Sequence, residues 1–154
     1  MSVPWWVMIP YGFVEKLAIF YFICRMTGTP LTGKGLAAAS ALGLAATLAL
    51  REILPLNHFV GYCIFIVANI AVTSLFFRVY TGDGSLMVWT TAVIATTVMI
   101  IVEFPATMMG ELYLKDMCSY ILFWVITGIP HIAVLLALAL IFGKVRSVRD
   151  KVSV

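Results

Sequence analysis

Charge is what this sequence has least of. Asp, Glu, Lys and Arg make up 11% of its 154 residues, against roughly 25% in an ordinary soluble domain. Apolar residues reach 63% with a mean hydropathy of +1.09, where a soluble domain holds about 45–50%. A water-soluble fold of this length has too little interior to hide that surface, so lipid is the solvent for most of it. Histidine is equally scarce, with only His58 and His131. The three cysteines, Cys24, Cys63 and Cys118, are widely spaced and match no CxxC or zinc pattern, so they are expected as small packing residues. No HExxH, no Ser/His/Asp order and no Gly-Asp intramembrane protease pattern occurs. His58 and Cys63 do not share a helix face, which removes a cysteine–histidine nucleophile pair. The chain is therefore expected not to be an enzyme, to need no cofactor and to hold no metal. Its basic residues form no stripe interleaved with aromatics, which excludes nucleic acid as a partner.

Early basic residues are missing too. The first is Lys16, and it comes after Trp5 and Trp6. A cleavable leader opens on positive charge, whereas paired tryptophans at the start of an apolar run read as an interfacial anchor.

What the sequence does have is five apolar runs, at about 5–24, 36–54, 59–79, 86–104 and 117–142. Each is near the roughly 20 residues a helix needs to cross the hydrocarbon core. The expectation is an all-α bundle of five transmembrane helices forming one domain over residues 1–154, in the cell membrane. Breaker-rich turns separate the runs at 27–35 and 81–85, and Pro55 punctuates another. The fourth run is expected to stop at Pro105, with a longer connection to Asp116 that is partly helical at the interface. Gly128 and Pro130 lie inside the fifth run, where the proline should kink the helix. The second run is dense in Ala and Gly, which permits close backbone approach. One stretch, Gly28-Thr-Pro-Leu-Thr-Gly-Lys-Gly35, nearly spells a phosphate-binding loop. It has Gly35 where the motif needs Ser or Thr, and no strand precedes it.

Basic residues set the orientation. With the N-terminus on one side, the other side receives Arg25, Lys34, Arg78, Lys144, Arg146, Arg149 and Lys151, while Arg51 and Lys115 stay on the first. The positive-inside rule then puts the N-terminus outside and the C-terminus in the cytoplasm. The last four of these basic residues follow the fifth run, where they stop transfer and attract anionic headgroups.

Ionisable groups inside membrane spans are costly and need partners. Aligned by depth, Glu15, Lys16, Asn69, Thr96, Thr97 and His131 fall near the midplane. Arg51, Glu52, His58, Glu103 and Glu111 fall near the outer face. Arg51 with Glu103 is expected either as a helix-to-helix ion pair or, with His58, as an outer ligand pocket. Glu15 with His131 is expected either as a cation- or proton-binding pair or as separate structural groups, with Lys16 snorkelling.

The Glu15 segment, the breaker-rich loop after it, Arg51-Glu-Ile-Leu-Pro-Leu-Asn-His58, Glu103 and Gly128-Ile-Pro130 together resemble the membrane sensor region of peptide-responsive histidine kinases of Gram-positive bacteria, the accessory gene regulator type. The similarity spans most of the chain. It implies a bundle that receives a signal outside and passes it to a cytoplasmic dimerising helix, with Arg51, Glu103 and His58 as pocket or packing residues. No kinase domain follows Val154, so the expectation is an isolated sensor region or a short relative working through a partner. The leading expectation is a sensor-like or partner-binding module in the bilayer. It would work as a homo-oligomer or with a protein partner, and would take an extracellular ligand. The small-residue face of the second run and Met99, Met108 and Met109 would suit the partner. The alternatives are a small transporter or channel subunit using Glu15, Asn69 and His131 as a midplane pathway, or a structural accessory subunit.

Overall fold

A computed structural model describes residues 5–29, 32–54, 59–82, 84–113 and 120–152. It holds five α-helices: α1 (Trp5–Thr27), α2 (Gly33–Ile53), α3 (Phe59–Thr81), α4 (Leu86–Tyr113) and α5 (Tyr120–Val152). All five are long and apolar enough to cross a membrane. Isoleucines, valines, leucines and aromatics such as Trp6, Val67, Leu86, Ile101 and Ile141 lie exposed on the outside. Lys16, Ser40, Thr73, Ser74, Thr91, Thr127 and His131 are buried inside. Such an inversion of the soluble pattern suits a bundle whose surroundings are hydrocarbon.

Helix ends follow the local chemistry. Gly28 and Gly82 adopt positive φ (74° and 72°), and their amides close on the Cys24 and Arg78 carbonyls at 2.9 and 2.8 Å. This is the left-handed stop that glycine allows without a Cβ clash. Thr32 caps α2 by accepting the Gly35 amide at 3.1 Å. The glycines and threonines of the near-phosphate-loop stretch thus serve as helix punctuation. Within the helices, hydroxyls of Ser40, Thr47, Thr81, Thr90, Thr91 and Thr96 donate to the carbonyl one turn back. That is how an apolar helix satisfies a polar side chain without a partner helix.

Two boundaries depart from the sequence expectation. α4 does not stop at Pro105 but continues to Tyr113. Proline removes one backbone hydrogen bond yet fits helical φ, and the residues after it re-form the ladder. α5 runs on to Val152. Its 33 residues, at about 1.5 Å each, give about 50 Å, longer than a hydrocarbon core of roughly 30 Å.

α1 is the central helix, packed against α2, α4 and α5, while α3 packs against α2 and α4, and α4 against α5. Phe20, Phe22 and Ile23 of α1 meet Ala39, Phe77, Val88, Ala92, Leu135 and Ala139 in one apolar core. This core fills the half of the bundle where α1 and α3 end and α4 begins. Glycines bring α1 and α2 together: a Cβ at Gly12 would stand 2.7 Å from Leu44 Cδ1, and one at Gly43 would stand 3.1 Å from Phe20 Cε2. The small-residue face of α2 is therefore split. Ala39, Ser40 and Gly43 are consumed inside, and Ala41, Ala45 and Ala49 face outward. Met99 is likewise a core residue, whereas Met108 and Met109 are exposed.

Candidate functional site

The other half of the bundle is not closed. Between α1, α2, α3 and the end of the α4 span lies a cavity of about 220 Å³. On α1 its wall follows the helical repeat: Met8, Tyr11 and Glu15 stand three and four residues apart on one face, with Gly12 beside Tyr11. On α2, Leu44, Thr47, Leu48 and Arg51 repeat the pattern. Tyr62, Phe65 and Asn69 come from α3, and Glu103 from α4. A smaller cavity of about 80 Å³ adjoins it, sharing Glu15, Lys16, Asn69 and Glu103 and reaching Thr73, Thr96 and Met99.

Lys16 spans the gap between α1 and α3. It is 1% exposed, and its ammonium donates to Asn69 Oδ1 at 2.7 Å. The same oxygen lies 3.0 Å from the Thr47 hydroxyl of α2. One amide thus gathers three helices around a buried charge. Lys16 does not snorkel as the sequence suggested, because Gly43 clears room for its stem and Asn69 supplies an acceptor at its own depth.

Arg51 and Glu103 line the same cavity and feel each other's charge, as the outer-pocket expectation has it. They do not touch: among the described residues neither has an ion-pair partner, and the Arg51 guanidinium makes only a long contact to Met8 Sδ at 3.6 Å. Glu15 lies within electrostatic reach of Lys16, Glu103 and Arg51. Neither the Glu15 nor the Glu103 carboxylate accepts a hydrogen bond among the described residues. His58 lies outside the described residues, as does the side chain of Glu111.

His131 is not the partner of Glu15. It is fully buried, and its Nε2 lies 2.9 Å from the Tyr11 hydroxyl, which donates in turn to the Gly128 carbonyl at 3.3 Å. The rings meet edge to face with centroids 6.0 Å apart. The Tyr11 ring lies directly on Gly128, where a Cβ would stand 2.5 Å from the hydroxyl oxygen. Tyr11 has a single hydroxyl proton. Giving it to Gly128 leaves the tyrosine oxygen to accept from Nε2–H, so every donor is used. His131 Nδ1, buried and without a partner, is then a bare lone pair, which costs less than a stranded N–H.

Of the three midplane candidates, Glu15 and Asn69 share a cavity and His131 stands behind Tyr11. Thr96 lines the smaller cavity but spends its hydroxyl on Ala92, and Thr97 is exposed. Among the described residues no group of three His, Cys, Asp or Glu could hold a metal ion. The sequence reading does not single out Tyr11, Thr47 or Tyr62. A signal for the first two was available: Tyr11 precedes Glu15 by one turn, and Thr47 precedes Arg51 by one turn.

No family model matches the chain, and neither a curated protein nor a solved structure matches it.

Proposed function

We propose that this chain is a multi-pass membrane sensor module without catalytic chemistry, and that the polar cavity receives its signal. The observation that carries the reading is Tyr11. One side of this residue lines the cavity, and its hydroxyl bonds to His131 and Gly128 of α5. An occupant that displaces Tyr11 releases two of the contacts between α5 and α1. α5 is continuous from the cavity half of the bundle to Val152, with Pro130 inside it, so a shift at Gly128 can be passed along one helix to the other side. Such a shift needs a ligand with different affinity for the two positions of α5. With the basic residues read by the positive-inside rule, the cavity opens toward the outside and α5 ends in the cytoplasm. Resemblance to the sensor regions of accessory gene regulator-type kinases points the same way. The outward Ala41, Ala45 and Ala49 of α2 suit a second copy or a partner helix.

The transporter reading needs Glu15, Asn69 and His131 on one wet path. His131 lies behind Tyr11, and an apolar core around Phe20, Phe77 and Val88 fills the other half of the bundle, which favours the sensor reading. Purification from the native membrane in mild detergent, with mass spectrometry of accompanying proteins, tests the proposal. A signalling partner is the expected result. A chain that comes out alone and carries solute flux in liposomes would overturn it.

A further inference from the structure

We propose that the cavity takes a small zwitterion of the α-amino acid class, its ammonium held by Glu15 and Glu103 and its carboxylate by Arg51. The inference rests on the cavity being the ligand-receiving site of the sensor.

Three groups on the wall are uncommitted. Neither glutamate has a hydrogen bond or ion pair among the described residues. Arg51 carries five donors and gives one of them to a thioether sulfur at 3.6 Å, a weak acceptor. Carboxylates inside a lipid-embedded bundle are stable only when matched by opposite charge or water, and Arg51, exposed at the end of α2, stands at the mouth of the same cavity. Lys16 differs, because Asn69 already holds it at 2.7 Å.

Charge balance then selects the ligand. Among the described residues, Glu15 and Glu103 against Lys16 and Arg51 give a wall with equal formal charge of each sign. A lone cation or anion unbalances that wall. A zwitterion leaves it neutral and meets an unpaired partner at both ends. A divalent metal finds only two carboxylates, with an ammonium beside them, and no third His, Cys, Asp or Glu among the described residues. Tyr11, Tyr62 and Phe65 line the cavity as well, and aromatic rings are groups of the kind that receive an ammonium.

Size points the same way. The cavity's 220 Å³ is below the 300–1,000 Å³ or so of drug-sized pockets. A free amino acid fits such a space.

The test uses the full chain in nanodiscs and follows thermal unfolding by tryptophan fluorescence. The probes are the common free α-amino acids, each with its N-acetyl and its decarboxylated counterpart. At about a hundredfold excess over Kd, at least one free amino acid is expected to raise Tm by about 5 °C or more. Both counterparts of that amino acid are expected to lose the shift. Glu103→Gln and Arg51→Gln are expected to abolish it as well, with their ligand-free Tm as the control for folding. A second readout avoids charge variants: maleimide labelling of a Leu48→Cys chain should slow severalfold with the same amino acid. An equal shift from the N-acetyl form, or no shift and no protection from any amino acid, would overturn the ligand class. The sensor reading fails separately, when loss of the Tyr11 hydroxyl leaves α5 where it was.

Discussion

Removing the acceptor for Lys16 should harm the bundle more than removing Lys16 itself. The ammonium is buried and Asn69 Oδ1 is its hydrogen-bond partner at 2.7 Å. Thr47 cannot stand in for it. Its one proton is shared between Asn69 at 3.0 Å and the Gly43 carbonyl at 2.8 Å, and it offers Lys16 no acceptor of comparable strength. Asn69→Leu therefore strands a charge, at a cost of about 3 kcal/mol, the low end for an uncompensated buried ion because cavity water returns part of the solvation. Lys16→Met removes the charge with its stem length kept, and should cost about 1 kcal/mol. In the double variant no ammonium is stranded, and the cost of leaving Glu15 without its neighbouring cation is common to both Lys16 variants and cancels in the cycle. Hydrogen bonds between membrane helices average about 0.6 kcal/mol and reach about 1.7, and charge-assisted ones are roughly twice as strong as neutral ones. The expected coupling is thus about 1.5 kcal/mol, with the double variant more stable than the two single costs imply. Reversible unfolding in mixed micelles by SDS titration measures all four corners of the cycle. A coupling below about 0.5 kcal/mol, the usual scatter of additivity, would refute the buried pair.

Three further outcomes follow from the same geometry. A double-mutant cycle on Arg51 and Glu103 should give no more than the few tenths of a kcal/mol typical of separated charges, because the two groups share a cavity without touching; a coupling above about 1 kcal/mol would show a direct pair. Gly128→Ala should cost about 1–3 kcal/mol by overpacking against the Tyr11 ring, read as a lower unfolding midpoint, while Gly33→Ala, where a new Cβ meets nothing within 4 Å, should leave the midpoint unchanged or slightly raised. Single cysteines in place of Lys34 and Lys144 should react with an impermeant maleimide only from the cytoplasmic side, and labelling of either from outside would reverse the proposed orientation.

The five spans were legible because each is a long apolar run with glycine or proline at its end. The α-helical caps at Gly28, Thr32 and Gly82 could be read for the same reason. Pro105 misleads, since a proline near a span's end resembles a stop, yet the helix carries on past it. The shared depth of Glu15, Lys16 and Asn69 could be counted from residue spacing. Their partners could not, because the α1–α3 contact joins residues far apart in sequence and the sequence does not fix which helices are neighbours. That is why His131 looked like a match for Glu15 at the same depth, when its ring faces Tyr11 instead. Tyr11 itself was hidden by type: a tyrosine near the start of a span reads as an interfacial residue. Its one-turn spacing from Glu15 was the clue to a polar face.

The central claim is that Tyr11 ties the cavity to α5. Spin labels at Lys34→Cys and Lys144→Cys, in nanodiscs and in a background without the native cysteines, report the distance between α2 and the emerging end of α5. Tyr11→Phe keeps the ring and deletes only the hydroxyl shared with His131 and Gly128. The expected result is a displaced or broadened distance distribution, by about 1–2 Å as for helix shifts in other switches, in a protein that still folds. A distribution identical to that of the unaltered chain would contradict the claim.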